Sequence, residues 1–399
     1  MDFNDSPEEA AWRKEYRAWL AENAPKVAGA QPEMETEIGG AEYLARAKAW
    51  QAMKFDAGFA RITWEPEFGG RSGNSMQQII FGQEEAKFNV PNFAFVIGLG
   101  MIAPTIRAVG TDAQKERYLT KLLRGEEIWC QLFSEPGAGS DVASLATTAT
   151  RDGDEWVLNG QKVWTSGAQY SDYGEIICRT APEAEKHKGI TAFIVDMKSP
   201  GITIKPLKQM NGGAGFNEVF FDDVRVPHEN VLGDVNEGWT VAITTLMNER
   251  VAIGSGGGGG GRGGVSDVIA LARERGLHND AQIRQALADV YTRTRISRFL
   301  SMRTLTAASQ GKIPGPEGSI GKLFGARIMT QIGELTVSIG GADAIAGNTR
   351  LSQSLLGAPA SHIAGGSDEV MMNIIGERVL GLPGEPRPDK GVAWKDVPR

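Results

Sequence analysis

The sequence predicts an α+β chain in three parts. A helical part covers residues 1–122, a small β-barrel or β-sandwich domain 123–235, and a helical bundle 236–399. Three observations predict this order. Capped segments with apolar residues at helical spacing fill the first third. Short β-forming runs between Gly and Pro punctuation fill the middle, and helical periodicity then returns. At 399 residues the chain is long for a single core and fits two or three domains.

Each element has its local reason. Ser6-Pro7-Glu8-Glu9 is a capping box with Pro at the first helical position, and Trp12, Tyr16, Trp19 and Leu20 follow at helical spacing. GTDAQKERYLTKLLRG (110–125) is a second helix, capped by Thr111 with Gln114 three residues on, and stopped by Gly125. DEWVLNGQKVWTSG (154–167) predicts a hairpin turning at Asn159-Gly160. GEIICRT, TAFIVDM, ITIKPL and EVFFDDVRVP predict further strands. From about residue 236 the segments GWTVAITTLMNERVAI, DAQIRQALADVYTRTRISRFLSMRTLTAAS and SIGKLFGARIMTQIGELTVSIGG predict a bundle. The tail GLPGEPRPDKGVAWKDVPR predicts an extended segment.

Six consecutive glycines, Gly256 to Gly261, interrupt this bundle. Each helical Gly costs about 0.8–1.0 kcal/mol relative to Ala, so the run disfavours helix by roughly 5–6 kcal/mol. A break or loop is expected there. It is either a flexible linker or a backbone without side chains that makes room beside a pocket.

Composition limits the partners. The net charge of −7 gives no electrostatic case for nucleic acid or an anionic membrane. No run of 18 apolar residues occurs, so no membrane span is expected. Cys130 and Cys178 are far apart, and the four histidines (His187, His228, His278, His362) are scattered. No metal site is expected from such spacing, and a reducing, cytoplasmic setting fits it. The acidic start, MDFNDSPEEAAWRKEY, has neither an apolar core nor an Arg-rich presequence.

Two stretches carry candidate chemistry. In CQLFSEPGAGSD (130–141), Gly137 and Gly139 allow close approach to a ligand, and Ser134 and Ser140 add hydroxyls. No Gly-Lys-Ser/Thr follows, so it is not a Walker loop. By spacing alone it is equally a Gly-rich turn before a strand. In NGQKVWTSGA (159–168), Trp164 is either a core residue or a cofactor neighbour.

SEPGAGSD, NGQKVWTSG, FNEVFFDDVRVP and GGSDEVMMNIIGERVLGLP, in this order and in a helix–β–helix frame, resemble the acyl-CoA dehydrogenase family. PEFGG (66–70) and residues 110–126 resemble that family's N-terminal helical domain. The resemblance implies FAD bound between the β domain and the bundle. It also implies oxidation of an acyl-CoA thioester to the 2,3-enoyl-CoA, with electrons passed to an electron-transferring flavoprotein, in a homo-oligomer (tetramer or dimer). Gln131, Phe133 and Ser134 match the loop along the flavin edge. Gly139 and Ser140 continue it, and Ser140 also matches a CoA-contacting position. Trp164 and Ser166 match a Trp-x-Thr/Ser element beside the flavin, Ser367 and Glu369 a C-terminal segment near FAD, and Arg250 an arginine near bound substrate.

The departures decide where the base must be. Many family members carry the catalytic Glu where this chain has Gly365, which cannot take a proton. A branch resembling isovaleryl- and long-chain-acyl-CoA dehydrogenases carries it on the preceding helix, next to the matching arginine. That residue here is Glu249. The resemblance therefore implies Glu249 as general base and the Gly365 N–H as donor to the thioester carbonyl. By its local sequence alone, Glu249 reads as an exposed helix-end charge rather than a base. The family's Arg-x-x-Phe-Gly element, which reaches FAD across a subunit interface, has no match here, and Val337 stands where a Gln often precedes Gly-Gly. Three functions follow: a catalytic acyl-CoA dehydrogenase, a flavin-binding subunit of a mixed complex with no activity alone, and a flavin-dependent oxidase or oxygenase on the same scaffold.

Overall fold

The computed structural model describes residues 5–25, 38–254, 264–309, 315–346, 349–387 and 389–397. Helix α1 (Pro7–Asn23) starts at the expected box, with Glu9 N–H donating to Ser6 Oγ (3.2 Å) and Ser6 N–H to Glu9 (2.7 Å). Its buried Tyr16 and Leu20 join Trp50, Phe59, Ile80 and Phe81 in a small aromatic core. Helices α2 (Ala41–Asp56) and α3 (Ser75–Glu85) follow, then a π turn (Gly98–Ile102) that runs into α4 (Ala103–Val109). Helix α5 (Asp112–Arg124) is capped by Thr111 and ends at Gly125, whose φ of 78° is the left-handed conformation that favours glycine.

Strand β1 (Trp129–Leu132) begins an eight-stranded sheet with β2 (Thr148–Asp152), β3 (Glu155–Ser166), β4 (Tyr173–Arg179), β5 (Ile190–Asp196), β6 (Ile202–Leu207), β7 (Phe216–Pro227) and β8 (Val231–Leu232). Its order is β6-β7-β3-β2-β4-β5-β8, with β1 parallel beside β4. The four strands expected from GEIICRT to EVFFDDVRVP form as β4 to β7.

The expected hairpin at Asn159-Gly160 does not form. β3 runs straight through both residues, and the turn lies earlier, at Gly153-Asp154 between β2 and β3. Gly160 sits instead at a register shift against β7, where a Cβ would come within 2.6 Å of Thr147. The Asn159 side chain is taken up across the sheet: it donates to Asp223 Oδ1 and accepts from Asp223 N–H, both at 2.9 Å.

Helices α6 (Gly238–Gly254), α7 (Val265–Glu274), α8 (Ala281–Ser309), α9 (Gly318–Gly340), α10 (Ala342–Ile345), α11 (Arg350–Ile363) and α12 (Asp368–Ile374) complete the described chain. The Gly256–Gly261 tract lies outside the described residues. Helix α6 joins the parts, packing on β5, on the π turn with α4, and on α9. The core beneath it combines Ile102, Ile106, Leu119, Trp129, Ile177 and Val241 from helices and sheet alike. The tail lacks regular structure over 381–387, then docks on the β domain: Trp394 N–H donates to Ala184 O (2.8 Å), and Lys186 binds Asp389.

Candidate functional site

A buried ion pair sets the loop after β1. Lys162, fully excluded from solvent, donates from Nζ to Phe133 O (3.1 Å) and Glu135 Oε1 (2.8 Å). Glu135 also accepts from the N–H groups of Ala146 (2.6 Å) and Thr147 (3.0 Å). Burial pushes the Glu135 pKa up, but the Lys162 charge and these hydrogen bonds outweigh it and hold the carboxyl below its ordinary value. Val163 N–H then donates to Ser134 O (2.8 Å), which lays the end of β3 beside the loop.

That junction exposes an indole and several polar groups. A register shift between Lys162 and Thr165 coincides with a left-handed Trp164 (φ 60°), whose indole is 59% exposed despite its size. Phe216 packs edge-on against it (5.9 Å, 84°). Gln131, Ser134 and Ser166 are half-buried, and their side chains make no hydrogen bond among the described residues. A Cβ added at Gly137 or Gly139 would meet nothing within 4 Å. An exposed indole, uncommitted polar groups and open glycine backbone fit a planar polar ring such as the flavin of FAD. Phe133 differs: its side chain is 5% exposed inside the core, so only its backbone faces the loop. Gly139 and Ser140 are exposed, next to Asp141, which pairs with Lys186 (2.6 Å).

The C-terminal segment is built differently. Gly365 and Gly366 have φ of 68° and 92°. At Gly366 a Cβ would also fall 2.5 Å from Met371 Cε. Ser367 is the N-cap of α12, accepting from Val370 N–H, and Glu369 is exposed on its first turn. Asp368 is committed on both oxygens. His362 Nδ1 lies 2.7 Å from Oδ2, and Lys322 Nζ lies 3.4 Å from Oδ1. Thr330 Oγ1 meets the other ring nitrogen of His362 at 2.7 Å. Burial raises the Asp368 pKa, but His362 and Lys322 outweigh it and leave the carboxyl below its ordinary value.

Glu249 stands half-buried near the end of α6, and the Arg250 side chain lies outside the described residues. Helix α9 supports both halves of this region, packing against α6 as well as α11 and α12.

Sequence reading passed over four anchoring groups. Glu135 and Lys162 stand inside the two quoted motifs, and a lone Lys before apolar VW was their signal. Glu175 is a single acid within the buried run of β4. The His362–Asp368 pair spans the two glycines and left no signal in spacing.

The acyl-CoA dehydrogenase N-terminal domain model matches residues 6–126, the middle domain 130–224 and the C-terminal domain 236–380. The chain is 37% identical to the acyl-CoA dehydrogenase IpdE1 of Mycobacterium tuberculosis, over 94% of this chain and 98% of the relative. It is 38% identical to acyl-CoA dehydrogenase FadE34 of the same organism over 92% of its length, and there it spans about half (50%) of the relative. The solved Tcur3481-Tcur3483 steroid ACAD superposes with a TM-score of 0.82 at 30% identity, covering 96% of this chain and 100% of that one. Among the described residues no helix is long and apolar enough to cross a membrane. With three consecutive domain models matched and a 37% identical relative covered almost end to end, the chain belongs to the acyl-CoA dehydrogenase family of FAD-dependent oxidoreductases.

Proposed function

We propose that the protein dehydrogenates an acyl-CoA thioester to its 2,3-enoyl-CoA with Glu249 as the base. The observation that carries this reading is the state of the carboxylates at the C-terminal segment. Gly365 has no side chain, Asp368 is tied to His362 and Lys322 with a lowered pKa, and Glu369 faces solvent. None of these is poised to take a proton from carbon. Glu249 is half-buried on the helix that shares α9 with that segment, within the same part of the bundle.

In this reading Glu249 accepts the α-proton. The Gly365 N–H donates to the thioester oxygen and favours the enolate as negative charge grows there. Arg250 and Ser140 bind substrate. Gln131, Ser134, Trp164 and Ser166, with the Phe133 and Gly139 backbone, would hold the isoalloxazine ring, and Ser367 and Glu369 would contact the rest of the cofactor. FAD, when bound, takes up the β-hydrogen as hydride. An electron-transferring flavoprotein then collects the electrons. The relation to a steroid ACAD supports a bulky acyl group. Two buried free cysteines support a reducing cytoplasm. The exposed Met329, Ile345, Ile363 and Leu380 of the C-terminal helices and the turn after them support assembly into a homo-oligomer.

A second reading has a specific support: the steroid ACAD structure joins two components in its name. In it this chain is one half of a mixed complex. An anaerobic titration with short, branched, long and steroid-type acyl-CoAs separates the two. The first reading expects one class to bleach the flavin of the purified chain and Glu249→Gln to abolish it. Bleaching only after a second subunit is added establishes the mixed complex. Equal bleaching in parent and variant removes Glu249 as base.

A further inference from the structure

Glu175 is a buried acid that the reaction above does not use. It sits in β4 with no solvent exposure. Thr245 on α6 donates to its Oε1 at 2.7 Å, and Thr245 Oγ1 also lies 3.0 Å from Thr105 Oγ1 on α4. Thr105 in turn donates to Met101 O of the π turn (2.9 Å). The second carboxyl oxygen, Oε2, is buried and has no hydrogen-bond partner among the described residues. Its strand neighbours are Gln131 on β1 and Ile194 on β5. No charged group on β1, β5, the π turn or α4 forms an ion pair with it among the described residues. On α6 the nearest titratable residue along the chain is Glu249. A carboxylate held this way, with one hydrogen bond and no cation, is not tolerated, so the group is a neutral acid.

The placement gives that acid a consequence. Its register partner Gln131 belongs to the strand of the proposed flavin edge. Its hydrogen-bond partner Thr245 lies one helical turn before Glu249, about 6 Å along the axis and on the same face. Leu or Phe would fill the same space without leaving an oxygen unsatisfied. We propose that Glu175 is a neutral, buried positioning residue that seats helix α6 on the sheet through Thr245 and so holds Glu249 in its working position. This rests on Glu249 being the base. Ionising Glu175 would put an uncompensated charge under α6 and shift the helix. Burial lifts its pKa to about 8, so the effect falls on the alkaline side.

The test is the pH dependence of anaerobic flavin bleaching by a steroid-type or octanoyl-CoA, whichever reduces the parent. The parent rate is expected to fall about tenfold per pH unit above its alkaline limb, with KM unchanged. Glu175→Gln, neutral at every pH, keeps the rate at pH 7 and loses that limb. Thr245→Val removes the hydrogen bond that favours the carboxylate, so it lowers kcat and moves the limb to higher pH. It also serves if the Gln variant does not fold. A limb that neither variant moves overturns the proposal. An infrared band of a protonated carboxylic acid at pH 7, absent from Glu175→Gln, is the readout that needs no substrate. Its absence from the parent overturns the proposal as well. Full activity in Glu249→Gln is a different failure, that of the base assignment, and leaves the infrared result for Glu175 standing.

Discussion

The two glycine-bearing segments of the site use glycine for opposite reasons. In the loop after β1, Gly137 and Gly139 have open space where a Cβ would be. Among the described residues nothing packs where those Cβ atoms would be, so the loop leaves its backbone open. At Gly365 and Gly366 the backbone itself is left-handed, and glycine is what the turn needs. The bracing differs too. The first loop hangs on one solvent-excluded ion pair, Lys162–Glu135. The second is held by a half-buried set, Lys322, Asp368, His362 and Thr330. One segment hangs on a solvent-excluded pair and leaves its glycines open; the other is shaped by its turn and has its Asp368 carboxylate already paired.

The largest effect should come from moving the proposed base from α6 into the second of these segments. Glu249→Gly is expected to cut the flavin reduction rate by about 10²–10⁴-fold. Adding Gly365→Glu should restore part of it, and only part, because a non-glycine residue at φ 68° costs about 1–2 kcal/mol. Absence of any recovery in stopped-flow reduction would count against a shared point of action.

Next comes the ion pair. Lys162→Met strands the buried Glu135 carboxylate and is expected to destabilise the fold by about 3–5 kcal/mol in urea unfolding, with loss of flavin. The double change Lys162→Met with Glu135→Leu should recover most of that stability. If the single change proves neutral, the loop is not hung on this pair.

The C-terminal brace should show a smaller and pH-dependent effect. Asp368→Asn is expected to cost about 1.5–3 kcal/mol at neutral pH. The Asp368 pKa is lowered in the folded state. Its contribution is therefore present above the unfolded carboxylate pKa, about 4, and is lost as pH falls through the folded value. Melting curves of parent and variant should converge in acid; a constant gap would contradict the linkage. Last, Asn159→Ala removes two exposed hydrogen bonds to Asp223 and should cost about 1 kcal/mol while leaving flavin reduction unchanged. A change in reduction rate would mean that this part of β3 reaches the site.

Much of the architecture was legible because its causes are local. Ser6 and Thr111 each carry a capping box within four residues, and Gly125 ends α5 by its own conformation. Four strands could be bounded by the β-forming runs and Gly/Pro punctuation of their own residues. The Asn159-Gly160 turn failed on the same ground. Asn-Gly favours a turn locally, but the pairing of nine β3 residues with β7 and the Asn159–Asp223 bonds outweigh it.

By itself, then, the sequence determined the three-part order, the family and the missing base at Gly365, since each is written in contiguous residues. Only the tertiary structure decided how each acid is held. Asp368 is committed by His362 and Lys322, Glu135 by a lysine 27 residues away, and Glu175 by a threonine 70 residues away. The fate of a carboxyl group depends on what surrounds it in space, and burial with a cation or without one sends its pKa in opposite directions.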